Sequence, residues 1–354
     1  MKRVVVALIA IVLGSPLALE AGLKTSVDQI VAGKVAPDGP GVAVLVTKGG
    51  RPVLKQTYGM ADVDAGRPIT SGTRFDLASV SKPLTGLIIL RLVERELLEL
   101  DDTVSALVAG FRVPVRGRAI TVRDLLQHTS GLRDYTQDFP GNDEVFAKIN
   151  TDSHLEWLNR TRPKRAAGVR FEYNNSNYAL LALIAERVTG RPFAQVARRE
   201  LFRRAKMRRT FVYDGKKALP RNVAAGYAVR RGQVRPSILL TDITGDGNIY
   251  TSINDLSLLL SALQRGRIVR DGSLAQAWTN GRLAGGRPIR DGGFGYGLGW
   301  EIKGPLRSHS GGWYGTSTYL VIDTSKDVAV AVLSNDENFD AVRVGDAILR
   351  AVGE

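Results

Sequence analysis

The chain has 354 residues, 44% hydrophobic and 24% charged, a composition that suits one large domain or two lobes around a sizeable core. It contains no cysteine, which excludes disulfides, thiolate metal sites, a cysteine nucleophile and a lipid-modified cysteine. The formal net charge is +14, yet nothing spaces aromatic residues for base stacking, so the excess of base does not read as a nucleic-acid surface.

Lys2 and Arg3 precede the apolar stretch Val4 to Leu13 and then Gly14, Ser15 and Pro16, the pattern of a secretory signal. The reading is a signal peptide over 1–21, cut after Ala18 or Ala21, and an exported chain, periplasmic or secreted, with no integral membrane span once mature. A helix is expected around Ser26 to Ala32. Gly41 to Val46 reads as a buried strand, Gly49-Gly50 turns it into a second strand from Val53 to Tyr58, and Ala61 to Ile69 adds a third short segment. This β-meander leads into Ser79-Val80-Ser81-Lys82.

There the apolar run Leu84 to Leu98 begins, hydrophobic on nearly every side, as expected of a central, buried helix. Ser79 then lies at its first turn, with a backbone N–H free to stabilise an anion, and Lys82 follows one turn later on the same face. A lysine so placed can take the hydroxyl proton when it is neutral. A free lysine has pKa ~10.4, and desolvation is what lowers it. Ser-x-x-Lys alone is a common match and carries little weight.

Thr121-Val122-Arg123-Asp124 has capping-box character and starts a short helix whose tail is His128-Thr129-Ser130-Gly131-Leu132. His128, at a helix end, and His154, in a bundle helix, both read as structural. Tyr173 to Asn177 is a polar loop capping a helix from Tyr178 to Val188, which Gly190 and Pro192 stop. Helical pattern resumes from Phe193 to Met207. Arg198, Arg199, Arg203, Arg204, Lys206, Arg208 and Arg209 surround one Glu200, either as a solvated helix face or as a surface for an anionic cell-envelope polymer. Gly245 to Ser252 is glycine-punctuated and precedes a helix from Asp255 to Leu263. Strands at Gly297–Ile302, Arg307–Gly312, Ser317–Ile322 and Val328–Leu333 then alternate with turns, and a helix from Phe339 to Val352 closes the chain.

Strands at both ends with helices between them predict an α+β fold. Its antiparallel sheet is built from N- and C-terminal strands flanked by helices: an α/β lobe over about 22–78 and 285–354, and an inserted, mainly helical lobe over about 79–284. There is no Gly-x-Ser-x-Gly elbow, no His-Glu-x-x-His and no Gly-x-x-x-x-Gly-Lys-Ser/Thr phosphate loop. Serine chemistry with a base other than histidine is what remains.

Four elements stand in order: Ser79-x-x-Lys82, His128-Thr129-Ser130-Gly131-Leu132, Tyr173-x-Asn175 and His309-Ser310-Gly311-Gly312. Over about residues 26 to 350 the chain resembles the serine β-lactamase and penicillin-binding-protein superfamily, and most of all its class C-like branch of D-aminopeptidases, D,D-carboxypeptidases and β-lactamase-like esterases. Phe75-Asp76-Leu77-Ala78 and Gly297-Leu298-Gly299-Trp300 match that branch as well. The resemblance implies a β-lactamase/transpeptidase-like fold and an acyl-enzyme on Ser79. It implies that Lys82 and Tyr173 share the proton relay and that Asn175 holds Lys82 and the substrate amide. The oxyanion hole would be the backbone N–H groups of Ser79 and Gly312, with His309, Ser310, Gly311 and Gly312 along the substrate. No cofactor and no metal are implied. The substrate would be a D-amino-acid peptide, a small ester or a β-lactam, and the rival is a receptor or envelope-binding protein of the same fold without turnover.

Two departures qualify the resemblance. His309 stands where many relatives carry a lysine that binds the substrate carboxylate, and a histidine of pKa ~6.5 is mostly neutral at pH 7. Efficient penicillin hydrolysis is therefore disfavoured, and His309→Lys is expected to improve binding of carboxylate-bearing substrates. Arg204-Ala205-Lys206-Met207 stands where relatives show a Pro-Leu-Gly-Met-like turn, which puts the shape of that loop in question.

Overall fold

The computed structural model describes residues 16–138 and 143–353. The expected signal peptide lies outside the described residues up to position 15, and helix α1 (Pro16–Val31) begins directly after it. Among the described residues no helix is long and apolar enough to cross a membrane.

One antiparallel sheet organises the chain. Two strands come from its beginning, β1 (Val42–Lys48) and β2 (Arg51–Tyr58). Five come from its end: β3 (Gly295–Tyr296), β4 (Glu301–Lys303), β5 (Leu306–Trp313), β6 (Thr316–Asp323) and β7 (Val328–Ser334). The order across the sheet is β3-β4-β5-β6-β7-β1-β2. The two ends of the chain meet where β1 pairs with β7, in unbroken register from Val42 opposite Ser334 to Lys48 opposite Val328. The β1–β2 hairpin turns through Gly49 and Gly50, both at φ +60°, the left-handed pair that a tight hairpin needs and that glycine supplies without strain.

Side-chain alternation along these strands builds two cores. Val42, Val44 and Val46, with Val328, Val330 and Val332, face the layer formed by α1 and the C-terminal helix (Ala341–Gly353). Ala43 and Leu45, with Ala329, Ala331 and Leu333, face the opposite way, towards α2 (Ser81–Glu94) and the helix Ile253–Gln264. Both faces of β1 and β7 are covered, which is why they read as continuous apolar runs. The larger of the two cores continues into the helical insertion, where α3 (Val122–Leu126) and α4 (Asn175–Thr189) pack on each other and α4 packs on α2.

Most expected elements are present, and three differ for identifiable reasons. Helix α2 is buried from Ser81 through Leu90, as its composition requires, but ends at Glu94 rather than Leu98. The chain turns there through Glu96 at φ +57°, and the Leu97 N–H returns to the Leu92 carbonyl. The third N-terminal segment leaves the main sheet after Gly59 (φ +71°) and forms a separate two-stranded ribbon, Met60–Asp62 with Arg67–Pro68. The helical stretch from Phe193 is α-helical only to Ala197 and continues as a π-turn over Arg198–Phe202, which the Arg203 N–H closes on the Arg198 carbonyl.

The π-turn runs into the questioned Arg204–Met207 loop. The turn is made, with Lys206 at φ +62° in the place of the relatives' glycine and the Met207 N–H bonded to the Phe202 carbonyl at 2.8 Å. A side chain in that left-handed conformation costs of order 1 kcal/mol or more. Lys206→Gly is therefore expected to raise unfolding free energy by about 1 kcal/mol, read as a higher urea midpoint with an unchanged slope. A lowered midpoint would refute the strain argument.

Candidate functional site

The strand Phe75–Asp76 delivers the chain to a single 3₁₀ turn, Ala78–Val80, which runs directly into α2. The Asp76 carboxylate accepts the Ala78 N–H at 2.9 Å, and Ala78 takes φ +45°, a strained value for a residue with a side chain. That local bend places Ser79 on the turn and Lys82 in the first turn of the buried helix. Pro83 falls inside the same first turn, where a missing N–H costs little.

Lys82 is 0% exposed. Its Nζ donates to three oxygens: Ser79 Oγ at 2.9 Å, Asn175 Oδ1 at 2.8 Å and the Asp246 carbonyl at 2.9 Å. An ammonium has three protons for these three acceptors. A neutral amine has two protons, which the amide and carbonyl oxygens can hold, leaving its lone pair directed at the serine hydroxyl. Those two acceptors can thus hold Lys82 in place in either protonation state.

The orientation of Asn175 is set from behind. Its Nδ2 donates to Asp134 Oδ2 at 3.1 Å and to Thr136 Oγ1 at 3.0 Å, and its backbone N–H donates to Asp134 Oδ2 at 3.0 Å. Only Oδ1 is left to face the lysine. Asp246 is braced by Tyr135, whose hydroxyl donates to Asp246 Oδ2 at 2.7 Å. Burial raises the Asp246 carboxyl, with the Lys82 charge and the Tyr135 bond pulling it back. Neither aspartate stands out in the sequence: Asp134 follows a Gly-Leu turn and Asp246 precedes a glycine, so both read as turn formers.

A cleft of about 320 Å³ opens over the serine. Asp76, Ser79, Tyr173, Asn175, Asp246 and Gly312 are among its lining residues, and among the described residues no lysine, arginine or histidine is. Lys82 Nζ lies 5.0 Å from the centre of the Tyr173 ring. The separated segments that hold Ser79, Lys82, Tyr173, Asn175 and Gly312 therefore meet.

Strand β5 forms the opposite wall. β4 pairs with it only over Leu306–Ser308, so among the described strands the following residues have no partner on that edge. A Cβ on Gly311 would lie 2.4 Å from the Leu77 carbonyl oxygen and 3.1 Å from the Ser79 nitrogen. Gly311 is thus the residue that lets the strand touch the nucleophile turn, while Gly312 has nothing within 4 Å of a Cβ position. Ser310 follows the strand alternation to the face away from Gly311.

His309 departs from its expected place. It is 1% exposed and does not line the cleft. Its Nδ1 donates to the Ser310 carbonyl at 2.6 Å and its Nε2 meets the Tyr296 hydroxyl at 3.1 Å. Burial, and then the nearby Lys82 charge, lower its pKa to about 3. The histidine is neutral and already bonded, so it does not capture a carboxylate. In His309→Lys the ammonium would enter a sealed position lined by the Tyr296 hydroxyl and the Ser310 carbonyl rather than the cleft, so the expected gain in carboxylate binding is not favoured. His128 and His154 are buried, in line with the structural reading. Burial lowers both, His154 to about 3 and His128 well below its ordinary value. Among the described residues no group of His, Asp and Glu side chains is arranged to hold a metal ion.

Sheet, helical insertion and cleft together define the β-lactamase/transpeptidase class of architecture. The chain belongs to the Beta-lactamase family, whose family model matches residues 27–353. It is 32% identical to Penicillin-binding protein 4* of Bacillus subtilis over 87% of this chain and 70% of that protein. To Protein flp of Staphylococcus aureus it is 28% identical over 84% of this chain, spanning only 59% of that protein's length. Among solved structures it superposes on the octameric penicillin-binding protein homologue from Pyrococcus abyssi with a TM-score of 0.81 and 25% identity, covering 94% of this chain and 77% of that one.

The three buried imidazoles give the fold a defined acid sensitivity. In the unfolded chain each takes a proton near pH 6.5, whereas the folded chain refuses it until about pH 3 at His154 and His309. The contribution of these imidazoles to stability is therefore complete above pH 6.5 and falls as pH drops, by ~1.4 kcal/mol per unit for each histidine, while Asp76, raised by burial to about 7, contributes with the opposite sign. His154 Nε2 has no hydrogen-bond partner. His154→Leu is expected to make the urea midpoint at pH 5 higher relative to that at pH 7 than it is in the wild type. An unchanged difference would show that His154 does not contribute to the acid sensitivity.

Proposed function

We propose that the chain is an exported serine hydrolase that cleaves an amide or ester through an acyl-enzyme on Ser79. The observation that carries this reading is the 2.9 Å contact between Lys82 Nζ and Ser79 Oγ, in a lysine wholly removed from water and held by two further acceptors. In the acylation step the lone pair of the neutral amine takes the hydroxyl proton while Oγ bonds to the substrate carbonyl carbon. Charge on the carbonyl oxygen falls between the backbone N–H groups of Ser79 and Gly312, where a donor is typically worth ~2.7–4 kcal/mol of barrier. Lys82 and Tyr173, treated as one coupled pair, pass the proton to the departing amine or alkoxide as its bond to the carbonyl carbon breaks. Water then attacks the acyl ester, gives its proton to the same pair, and releases the acid as Ser79 regains its hydrogen.

The cleft supports a choice among substrates. With no cation in its lining and with Asp76 and Asp246 on its wall, a small ester or a D-amino-acid peptide suits it better than a β-lactam carrying a free carboxylate. The unpartnered edge of β5 beyond Ser308 suits an acyl chain lying extended against it. Export rests on Lys2, Arg3 and the apolar stretch behind them. Intact-mass analysis with an activated short-chain ester and a penicillin tests the reading. A transient adduct and ester turnover are expected, both lost in Ser79→Ala. A permanent adduct would favour the receptor of the same fold, and undiminished turnover in Ser79→Ala would overturn the assignment of the nucleophile.

A second feature supports an anionic polymer as partner. Arg191, Arg198, Arg199 and Arg203 line a surface hollow of about 550 Å³ with Gln195. The π-turn adds one residue per turn and so keeps Arg203 on the side of Arg198 and Arg199. Glu200 is 2% exposed and pairs with Arg95 and, at 3.4 Å, with Arg199 Nε, so it offsets part of the charge of one of the four arginines. Guanidinium groups gathered in this way suit phosphate oxygens. Binding of long-chain polyphosphate is expected to weaken with salt at a log–log slope of about −3, as for four phosphate contacts, and Arg198→Ser with Arg203→Ser is expected to make the slope shallower by at least ~1. A slope unchanged in the double variant would remove the hollow from consideration.

A further inference from the structure

Behind the cleft, three side chains that the proposed chemistry does not use form a continuous hydrogen-bonded chain. His128, Tyr296 and His309 are each 1% exposed. His128 Nε2 lies 3.2 Å from the Tyr296 hydroxyl, and that hydroxyl lies 3.1 Å from His309 Nε2. The outer ends are backbone groups. The Asn174 N–H reaches His128 Nδ1 at 3.1 Å, and His309 Nδ1 reaches the Ser310 carbonyl at 2.6 Å.

The two ends independently assign the same direction. A carbonyl only accepts, so His309 carries its proton on Nδ1; with a neutral ring, its Nε2 accepts from Tyr296. A backbone N–H only donates, so His128 Nδ1 is the acceptor and its Nε2–H points at the tyrosine oxygen. The chain therefore runs from Asn174 N–H to His128, from His128 to Tyr296, from Tyr296 to His309 and from His309 to the Ser310 carbonyl, each link a donor meeting an acceptor. A proton added to either ring would set two donors against each other. Buried networks of this kind rigidify when every member is satisfied.

Its placement bears on the site. Asn174 sits between Tyr173 and Asn175, and Ser310 lies two residues before Gly312. The Tyr173 ring lies 4.5 Å from the His128 ring, tilted by 38°, and 5.9 Å from that of His309. The chain thus ties the loop bearing the relay tyrosine to the strand bearing the oxyanion N–H, across the back of the cleft. Tyr173 rests against it.

We propose that His128, Tyr296 and His309 are positioning residues, a one-way strut that fixes the spacing between the Tyr173–Asn175 loop and strand β5. The inference rests on the serine-hydrolase reading for its kinetic consequence, and on geometry alone for the strut. Displacement of reacting groups by about 1 Å is enough to cost ~100-fold in rate. Tyr296→Phe removes the central hydroxyl and keeps the ring. It is expected to lower kcat for an activated ester by roughly 10- to 100-fold with KM within about twofold. Tyr319→Phe is the control, since Tyr319 is also buried and its hydroxyl bonds to Asp346, on the C-terminal helix, at 3.1 Å.

Equal kcat in the two variants, with only a lower melting temperature in Tyr296→Phe, would overturn the proposal. If Tyr296→Phe does not fold, His309→Gln is the second variant, able to accept from Tyr296 through Oε1 but differing in reach, and it is expected to lower kcat by roughly 2- to 10-fold; full kcat would count against the strut. Imidazole ¹⁵N spectra of the wild type test the strut without any turnover. His309 protonated on Nδ1 and His128 on Nε2 are expected, and the opposite tautomer at either ring sinks it. Absent turnover with the expected tautomers would discard the hydrolase reading and leave the strut intact.

Discussion

A primary amine buried to 0% exposure is the constraint around which the rest of this molecule is arranged. Withdrawing such a group from water costs several kcal/mol unless polar partners replace the lost hydration. The partners of Lys82 come from three places in the chain: the turn before α2, the start of α4, and the loop at Asp246. None can move without leaving the amine unsatisfied. Asp134, Thr136 and Tyr135 hold those partners in place, and Thr136 and Tyr135 also line the cleft. Three separate segments of the helical insertion are thereby locked together at the point where the cleft opens.

The elements legible in the sequence were those whose residues announce their own surroundings. The Val and Ala alternation in β1 and β7, the apolar helix after Ser79 and the Thr121–Asp124 capping box each follow from local chemistry, and each is present. The box is complete, with the Thr121 side chain and Asp124 side chain each capping the other's N–H. What was not legible depends on distance in sequence. The end of α2 is set by a left-handed glutamate, a residue that no helix signal marks as a terminus. Asn175 is recognisable from its motif, but the aspartate that turns its amide lies 41 residues earlier in an undistinguished loop.

His309 shows the same limit from the other side. Read as a position in a motif, it stands where a cation would greet the substrate. Strand alternation does put it on the Gly311 face, the face towards the nucleophile turn. Its neighbours decide the rest: Tyr296 and the Ser310 carbonyl occupy both ring nitrogens, and the cavity stops short of it. A histidine read as substrate-facing and one read as a helix-end residue become two ends of one buried assembly, because Tyr296, whose hydroxyl no periodicity advertises, stands between them.

The pairing of β1 with β7 joins positions nearly three hundred residues apart, Val42 with Ser334 among them. The middle of the sheet thus cannot close during synthesis until β7 has left the ribosome, although the hairpin β1–β2 and the helices that follow are available much earlier. Non-local closure of this kind is slow and leaves apolar strand edges open in the interim. The nascent chain accordingly stays unassembled at its centre until β7 arrives, and the Val42–Val46 edge calls for shielding up to that point.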